Sequence, residues 1–252
     1  MYISLTVLGT ATPYPQPDRP CSGYLLRTAT AQVWVDAGPG SLANLLRHTR
    51  LEALDAIWIS HLHADHDTDL LAAYYALARG GLELGEPLAV YAPPTLGDRL
   101  AGFLRQDSPS FLAGTLRLHE LRDGHRLDLD GLSLTARSVQ HPVEAYALRA
   151  EYRGRTIVYS GDSGPCPALD DAAVGADLLL CETGADRAVG EGPSGHHTPE
   201  DAGALARRAR VGRLVVTHIA PNVVPEEAIR RAAMVFGGPT EQAREGQTYT
   251  VS

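Results

Sequence analysis

The sequence predicts an α/β protein in which two β-rich halves pack sheet to sheet, with helices on the outside. Three observations predict it. Apolar strand-like runs precede helical periodicities in each half of the chain. Strand after strand runs up to a ligand-type residue, namely His61, His141, Asp162, Glu182 and His218, so one rim of a sheet sandwich is loaded from both halves. No linker, short-period repeat or low-complexity tract interrupts the 252 residues, so residues 1–252 are expected to form a single domain.

The elements follow in order. Met1 to Leu8 alternates like a strand without a cationic, long-apolar leader, and Gly9-Thr10-Ala11-Thr12-Pro13 breaks it. The loop from Pro13 to Gly23 carries four prolines with Arg19, Cys21 and Ser22, which makes it stiff, irregular and a candidate border of a site. Tyr24 to Arg27 and Gln32 to Asp36 read as a strand pair, followed by a glycine-rich turn and a helix over Leu42 to His48. Leu54 to Ser60 is a strand. Thr68 to Arg79 has apolar positions three and four apart, as a helix requires.

Leu88 to Tyr91 is a strand and Thr95 to Leu104 a helix, whereas Gln106 to Gly114 reads only as a mobile cover. Thr115 to Leu121, Arg126 to Leu129 and Leu132 to Val139 alternate as strands, the last two joined by the tight turn Asp130-Gly131. Tyr146 to Tyr152 and Thr156 to Ser160 form a hairpin about Arg153-Gly154. Leu178 to Leu180 is a short buried strand. Thr198-Pro199-Glu200-Asp201 places an N-cap, a proline at the first helical position and acids in the first turn, and so starts a helix to Arg208. Leu214 to Thr217 is a strand, Pro225 to Phe236 a helix, and Tyr249 to Val251 a closing strand.

Composition narrows the function classes. The formal net charge is −8 and all 22 basic residues are arginine. An acidic chain without a basic run is poorly suited to gripping a long polyanion, because such binding needs many cationic contacts to phosphate. Small anions remain compatible, since bound metal reverses the local field. Cys21, Cys166 and Cys181 are odd in number with no CxxC spacing, which points to free thiols and a cytoplasmic protein. No apolar stretch approaches the roughly 18 residues of a membrane span.

The chemistry concentrates in Ser60-His61-Leu62-His63-Ala64-Asp65-His66. His61 and His63 point the same way on a strand-to-loop segment, while Asp65 and His66 lie a turn further on and face a second position nearby. Neutral imidazole is a transition-metal ligand, and two metals side by side account for histidines this dense. Helix capping would explain one carboxylate and none of the three histidines.

This cluster, with later His141, Asp162 and His218, resembles the metallo-β-lactamase superfamily. The likeness is greatest to the branch holding the tRNA 3′-processing endonucleases (ribonuclease Z) and the atypical cyclic-nucleotide phosphodiesterases. It runs nearly end to end through Leu8-Gly9-Thr10, Arg19, Ser22, Val35-Asp36-Ala37-Gly38, Tyr91-Ala92-Pro93-Pro94, Tyr159-Ser160-Gly161-Asp162-Ser163, Cys181-Glu182-Thr183, His196-His197-Thr198 and Thr217-His218-Ile219. The resemblance implies a four-layer αββα sandwich. It implies that His61, His63 and His141 hold one metal, that Asp65, His66 and His218 hold another, and that Asp162 bridges them. Five imidazoles and two carboxylates suit two divalent ions, Zn²⁺ first and Mn²⁺ second. Such a pair activates a shared water for in-line displacement at phosphorus. The resemblance makes Asp65, Glu182 and His196 the catalytic set. His196 donates a proton to the leaving oxygen, Glu182 orients it, and the helix N-terminus beside it is expected to lower its pKa. His197 is the competing candidate, and Glu182 could instead be a buried ion-pair partner. Asp36 reads as an orienter of a ligating histidine. His48, His119 and His125 read as surface or turn residues.

Only twenty residues separate His141 from Asp162, and a hairpin consumes them. The long arm with which the bacterial tRNA-processing enzymes grip tRNA is therefore missing. The resemblance then favours a phosphodiesterase acting on a small phosphodiester such as a 3′,5′-cyclic nucleotide, in a homodimer, over tRNA 3′ processing. A lactone, ester or thioester hydrolase on the same scaffold and a non-enzymatic metal-binding module are the other readings.

Overall fold

The computed structural model describes residues 2–82, 84–187 and 194–252; Met1, at the head of the expected first strand, lies outside them. The first sheet contains β1 (Ile3–Gly9), β2 (Gly23–Arg27), β3 (Gln32–Ala37), β4 (Ala56–Trp58), β5 (Leu88–Ala92) and β6 (Leu116–Glu120). The second contains β7 (Arg126–Leu129), β8 (Leu132–Ser138), β9 (Tyr146–Tyr152), β10 (Arg155–Tyr159), β11 (Leu178–Thr183), β12 (Leu214–Ile219) and β13 (Thr240–Gln242). The last strand, β14 (Thr248–Val251), returns to the first sheet and pairs antiparallel with β1.

The two halves share one plan. β1, β2 and β3 pair antiparallel and β3 to β6 run parallel; β7 to β10 pair antiparallel and β10 to β13 run parallel. Period-two alternation divides the side chains between layers. Ile3, Leu5, Val33, Val35 and Trp58 enter the core between the sheets with Leu132, Leu134, Tyr146 and Leu148, while Leu8, Trp34 and Ile57 face the opposite side. Helices α1 (Ser41–Leu45), α3 (Asp69–Arg79) and α4 (Leu96–Phe103) cover that outer face. Helices α5 (Pro167–Ala173), α6 (Pro199–Ala209) and α7 (Pro225–Phe236) cover the second sheet, through Leu169, Leu205 and Ala228. The four-layer αββα order expected from the sequence is the order found.

Local chemistry explains the joints. Asp130-Gly131 and Arg153-Gly154 both hold positive φ at their two central residues, as two-residue hairpins of the tightest kind demand. Thr198 caps α6 with a reciprocal bond to Asp201, and Pro199 fills its first turn.

Several expectations shift. The helix expected over 42–48 stops at Leu45, and the one expected over 68–79 is preceded by a separate turn, α2 (Ala64–Asp67), joined at Thr68. Helix α5 and strand β13 carried no readable signal: α5 is seven residues long and β13 three. The segment 106–114 is not a free-standing cover. Ser108 caps a short 3₁₀ turn (Pro109–Leu112) that packs on α4, with Leu112 buried in the core. Among the described residues no helix is long and apolar enough to cross a membrane.

Candidate metal centre

The rim expected at strand ends lies mostly just beyond them. Only Glu182 and His218 sit inside strands; His61, His141 and Asp162 each lie three residues past the end of β4, β8 and β10. A strand fixes alternate side-chain directions, whereas a loop lets consecutive ligands turn toward one point. An isolated bridge from His61 to Ala145 and a bond from the Tyr146 amide to the Ser60 carbonyl tie this rim across the two halves. His218 and Asp36 both hold left-handed backbone (φ 46° and 55°), an uncommon state for non-glycine residues that concentrates at functional sites.

The seven side chains converge as two adjoining groups: His61, His63, His141 and Asp162, and Asp65, His66 and His218. In the first, His63 Nδ1 lies 3.1 Å from both His61 Nε2 and His141 Nε2. In the second, His218 Nε2 lies 3.3 Å from His66 Nε2 and 3.3 Å from Asp65 Oδ2. Asp162 faces both, with Oδ2 3.7 Å from His61 Nε2 and Oδ1 3.3 Å from His66 Nε2.

The donor set fits divalent metal. Ligands about 2.0 Å from a tetrahedral ion are separated by about 3.3 Å, close to the spacings found. Asp36, Asp65 and Asp162 are buried, and among the described residues their only ion-pair partners are histidines. Such a cluster of carboxylates calls for added cations. The buried Asp162 Oδ1 also lacks a hydrogen-bond partner. Burial, reinforced for His61 by neighbouring imidazoles, pushes His61, His63 and His141 below the usual histidine range, which frees their lone pairs. Burial opposes ionisation of Asp162, but His218, His66 and His61 outweigh it and hold the carboxyl well below its ordinary range.

Outer contacts aim the rings. His141 Nδ1 donates to the Gly195 carbonyl at 2.8 Å, and His66 Nδ1 donates to Asp36 Oδ2 at 2.7 Å. Asp36 also accepts from the Ser60 amide, the Ser60 hydroxyl and the Tyr159 hydroxyl, at 2.7, 2.8 and 2.7 Å. Burial and the Asp36 charge raise the Tyr159 phenol, which keeps its proton for that bond. Tyr159 is in the second sheet and Asp36 in the first, so this contact spans the sandwich. Sequence reasoning missed Tyr159, because an aromatic in a buried strand reads as core. It also missed Thr12, whose hydroxyl lies 3.3 Å from Asp65 Oδ2.

His196 and Glu182 form the third part. Glu182 is fully buried; its Oε1 accepts from His196 Nδ1 at 2.9 Å and from the Ser163 amide at 3.0 Å, and its Oε2 accepts from the Gly184 amide. The expected fall in the His196 pKa is not found. Burial does lower it, but the bond to Glu182 and its charge dominate and push it up to about 9. His196 is half-buried against the His141 and His218 rings. His197 is buried, with Nδ1 on the Ser163 carbonyl. Gly184 makes room for the pair: a Cβ there would lie 2.7 Å from His196 Nδ1.

Comparison with known proteins agrees with this architecture. A family model described as a beta-lactamase superfamily domain matches residues 31–219. The chain belongs to the metallo-β-lactamase superfamily. An uncharacterized protein of Mycobacterium leprae is 33% identical over 99% of this chain and 89% of its own. A ribonuclease Z of Myxococcus xanthus is 29% identical over 98% of this chain and 97% of its own, and one of Mycolicibacterium paratuberculosis is 32% identical over 95% of both, which places the protein in the ribonuclease Z-like branch. The crystal structure of the metallo-β-lactamase fold protein YhfI from Bacillus subtilis superposes with a TM-score of 0.86 at 26% identity, over 99% of both chains. As a member of this superfamily the protein is a hydrolase of metallo-β-lactamase fold.

Proposed function

We propose that the protein is a phosphodiesterase that hydrolyses a small phosphodiester, a 3′,5′-cyclic nucleotide foremost, using two divalent ions, Zn²⁺ first and Mn²⁺ second. One ion is held by His61, His63 and His141, the other by Asp65, His66 and His218, with Asp162 between them. When bound, the pair supplies Lewis acidity to the phosphoryl oxygens and acidifies a water. The protein's own groups do the rest. Glu182 keeps Nδ1 of His196 occupied and its ring protonated, so that Nε2 can deliver a proton to the departing oxygen. The Asp36 network fixes which nitrogen of His66 faces inward.

The observation that carries this reading is the short interval between His141 and Asp162, most of which β9, β10 and their turn take up. The short connections on either side of that hairpin leave no length for an arm that would hold a macromolecule. The alignment with the Myxococcus ribonuclease Z also extends over 305 positions, so that relative carries segments this chain lacks, whereas the Mycobacterium leprae relative aligns over 255. We place the protein in the cytoplasm, as a homodimer with one catalytic domain per chain. Metal-loaded protein incubated with cyclic AMP, cyclic GMP and bis-(p-nitrophenyl) phosphate should hydrolyse at least one; turnover of none would overturn the reading. The ribonuclease Z relative favours a second reading, tRNA 3′ processing, which cleavage of a precursor tRNA in preference to the small esters would establish.

A further inference from the structure

A cavity of about 270 Å³ opens beside the second ligand group, between the proline-rich loop and the segment after β12. Thr12 belongs to both places: it lines the cavity and its hydroxyl reaches the Asp65 carboxylate. On the opposite wall the lining begins at Ile219, the residue after His218. A molecule whose phosphate meets the ligand cluster can therefore lay its remainder here.

The lining describes that remainder. Ile219 and Val223 give an apolar surface, while Gln16, Arg19 and Asn222 offer two amides and a guanidinium, the Asn222 amide nitrogen donating one long bond of 3.5 Å to Asp186 Oδ2. No ion pair to Arg19 occurs among the described residues, although the chain is acidic overall. Its backbone is fixed, since Gln16 and Arg19 exchange two 2.9 Å bonds within the proline-rich loop. Apolar faces with a hydrogen-bonding edge are the properties of a nucleobase. An Arg fork matches O6 and N7 of guanine, and an Asn or Gln amide matches N6 and N7 of adenine; pyrimidines have no N7. The volume falls just below the usual range of small-molecule sites, so the cavity holds a base and not a polynucleotide.

We infer that this cavity is a purine subsite of the metal centre, with Arg19 and Asn222 as specificity-determining residues. The inference rests on the phosphodiesterase reading for what the neighbouring centre does, but its test needs no turnover. Binding of guanosine and adenosine 5′-monophosphate is measured by calorimetry against the cytidine and uridine analogues. At least one purine should bind about tenfold or more tightly than either pyrimidine. Arg19→Ala should remove most of a guanine preference, and so should Arg19→Lys, which keeps the charge and loses the fork, while Asn222→Ala should remove most of an adenine preference. Arg117→Ala, an exposed arginine paired with Glu86, controls for net charge and should bind as wild type. Equal affinity for purines and pyrimidines, or a preference that neither the Arg19 variants nor Asn222→Ala changes, overturns the subsite. If the wild type cleaves no phosphodiester yet shows Arg19-dependent purine binding, the reaction fails and the subsite stands.

Discussion

Replacing His196 with Ala separates proton donation from the rest of the site. His196 is held at about 9 by Glu182 in the protein alone, so it carries its proton near neutrality. Bound divalent cations nearby repel that proton and bring the value down from there. A positioned general acid contributes about 10² to 10⁴-fold, or about 2.7 to 5.4 kcal/mol of barrier. That help matters when the leaving oxygen is a poor one. His196→Ala should therefore lower kcat on a ribose-alkoxide leaving group, as in a cyclic nucleotide, by that factor. On bis-(p-nitrophenyl) phosphate, whose phenolate leaves unaided, the loss should be at least tenfold smaller. The pH profile adds a sign. A required acid is active below its pKa, so wild-type activity on the cyclic nucleotide should fall as pH rises toward about 9, and the variant should lack that limb. Equal losses on both substrates, or an alkaline limb that survives in the variant, would refute the assignment of His196 as proton donor.

Three more outcomes follow from the same geometry. Tyr159→Phe removes one of four donors to Asp36 and should weaken metal affinity by about 10 to 100-fold in a chelator-competition titration; unchanged affinity would remove Tyr159 from the orienting network. Gly184→Ala forces the His196 ring away from Glu182, so cyclic-nucleotide turnover should fall while metal content by elemental analysis stays at the wild-type level; full activity would mean the pair tolerates displacement. Metal binds the assembled site and not the unfolded chain, so prolonged chelation should lower Tm and Zn²⁺ should restore it; a Tm indifferent to chelation would argue against a metal centre in these residues.

The fold was legible where side-chain periodicity and turn chemistry coincide. Ile3, Leu5 and Val7 alternate cleanly, and Asp130-Gly131 and Arg153-Gly154 announce their hairpins. Short elements were not legible: β13 has three residues, all half-buried, too few to show a period. At the site, His61, His63, Asp65 and His66 were readable because four ligand-type residues crowd six positions. His141, Asp162 and His218 stood out only as ligand-type residues at strand ends, and their grouping into two sites came through resemblance, since their convergence depends on how the two sheets dock. Tyr159 was hidden because a strand tyrosine whose hydroxyl crosses an interface has the same sequence signature as one that only fills space. The direction of the His196 shift was misjudged because a helix terminus can be seen in sequence and a buried carboxylate 2.9 Å away cannot.

The excursion of β14 bears on assembly. Register pairs Ile3 with Val251, so the outermost rung of the first sheet joins residues almost a full chain length apart. Such pairing raises the contact order of the fold, and it returns the chain from the second sheet to the first. Ligands drawn from both sheets can meet at one ion only when the two sheets are docked, so a bound cation would favour that docked arrangement over the open chain.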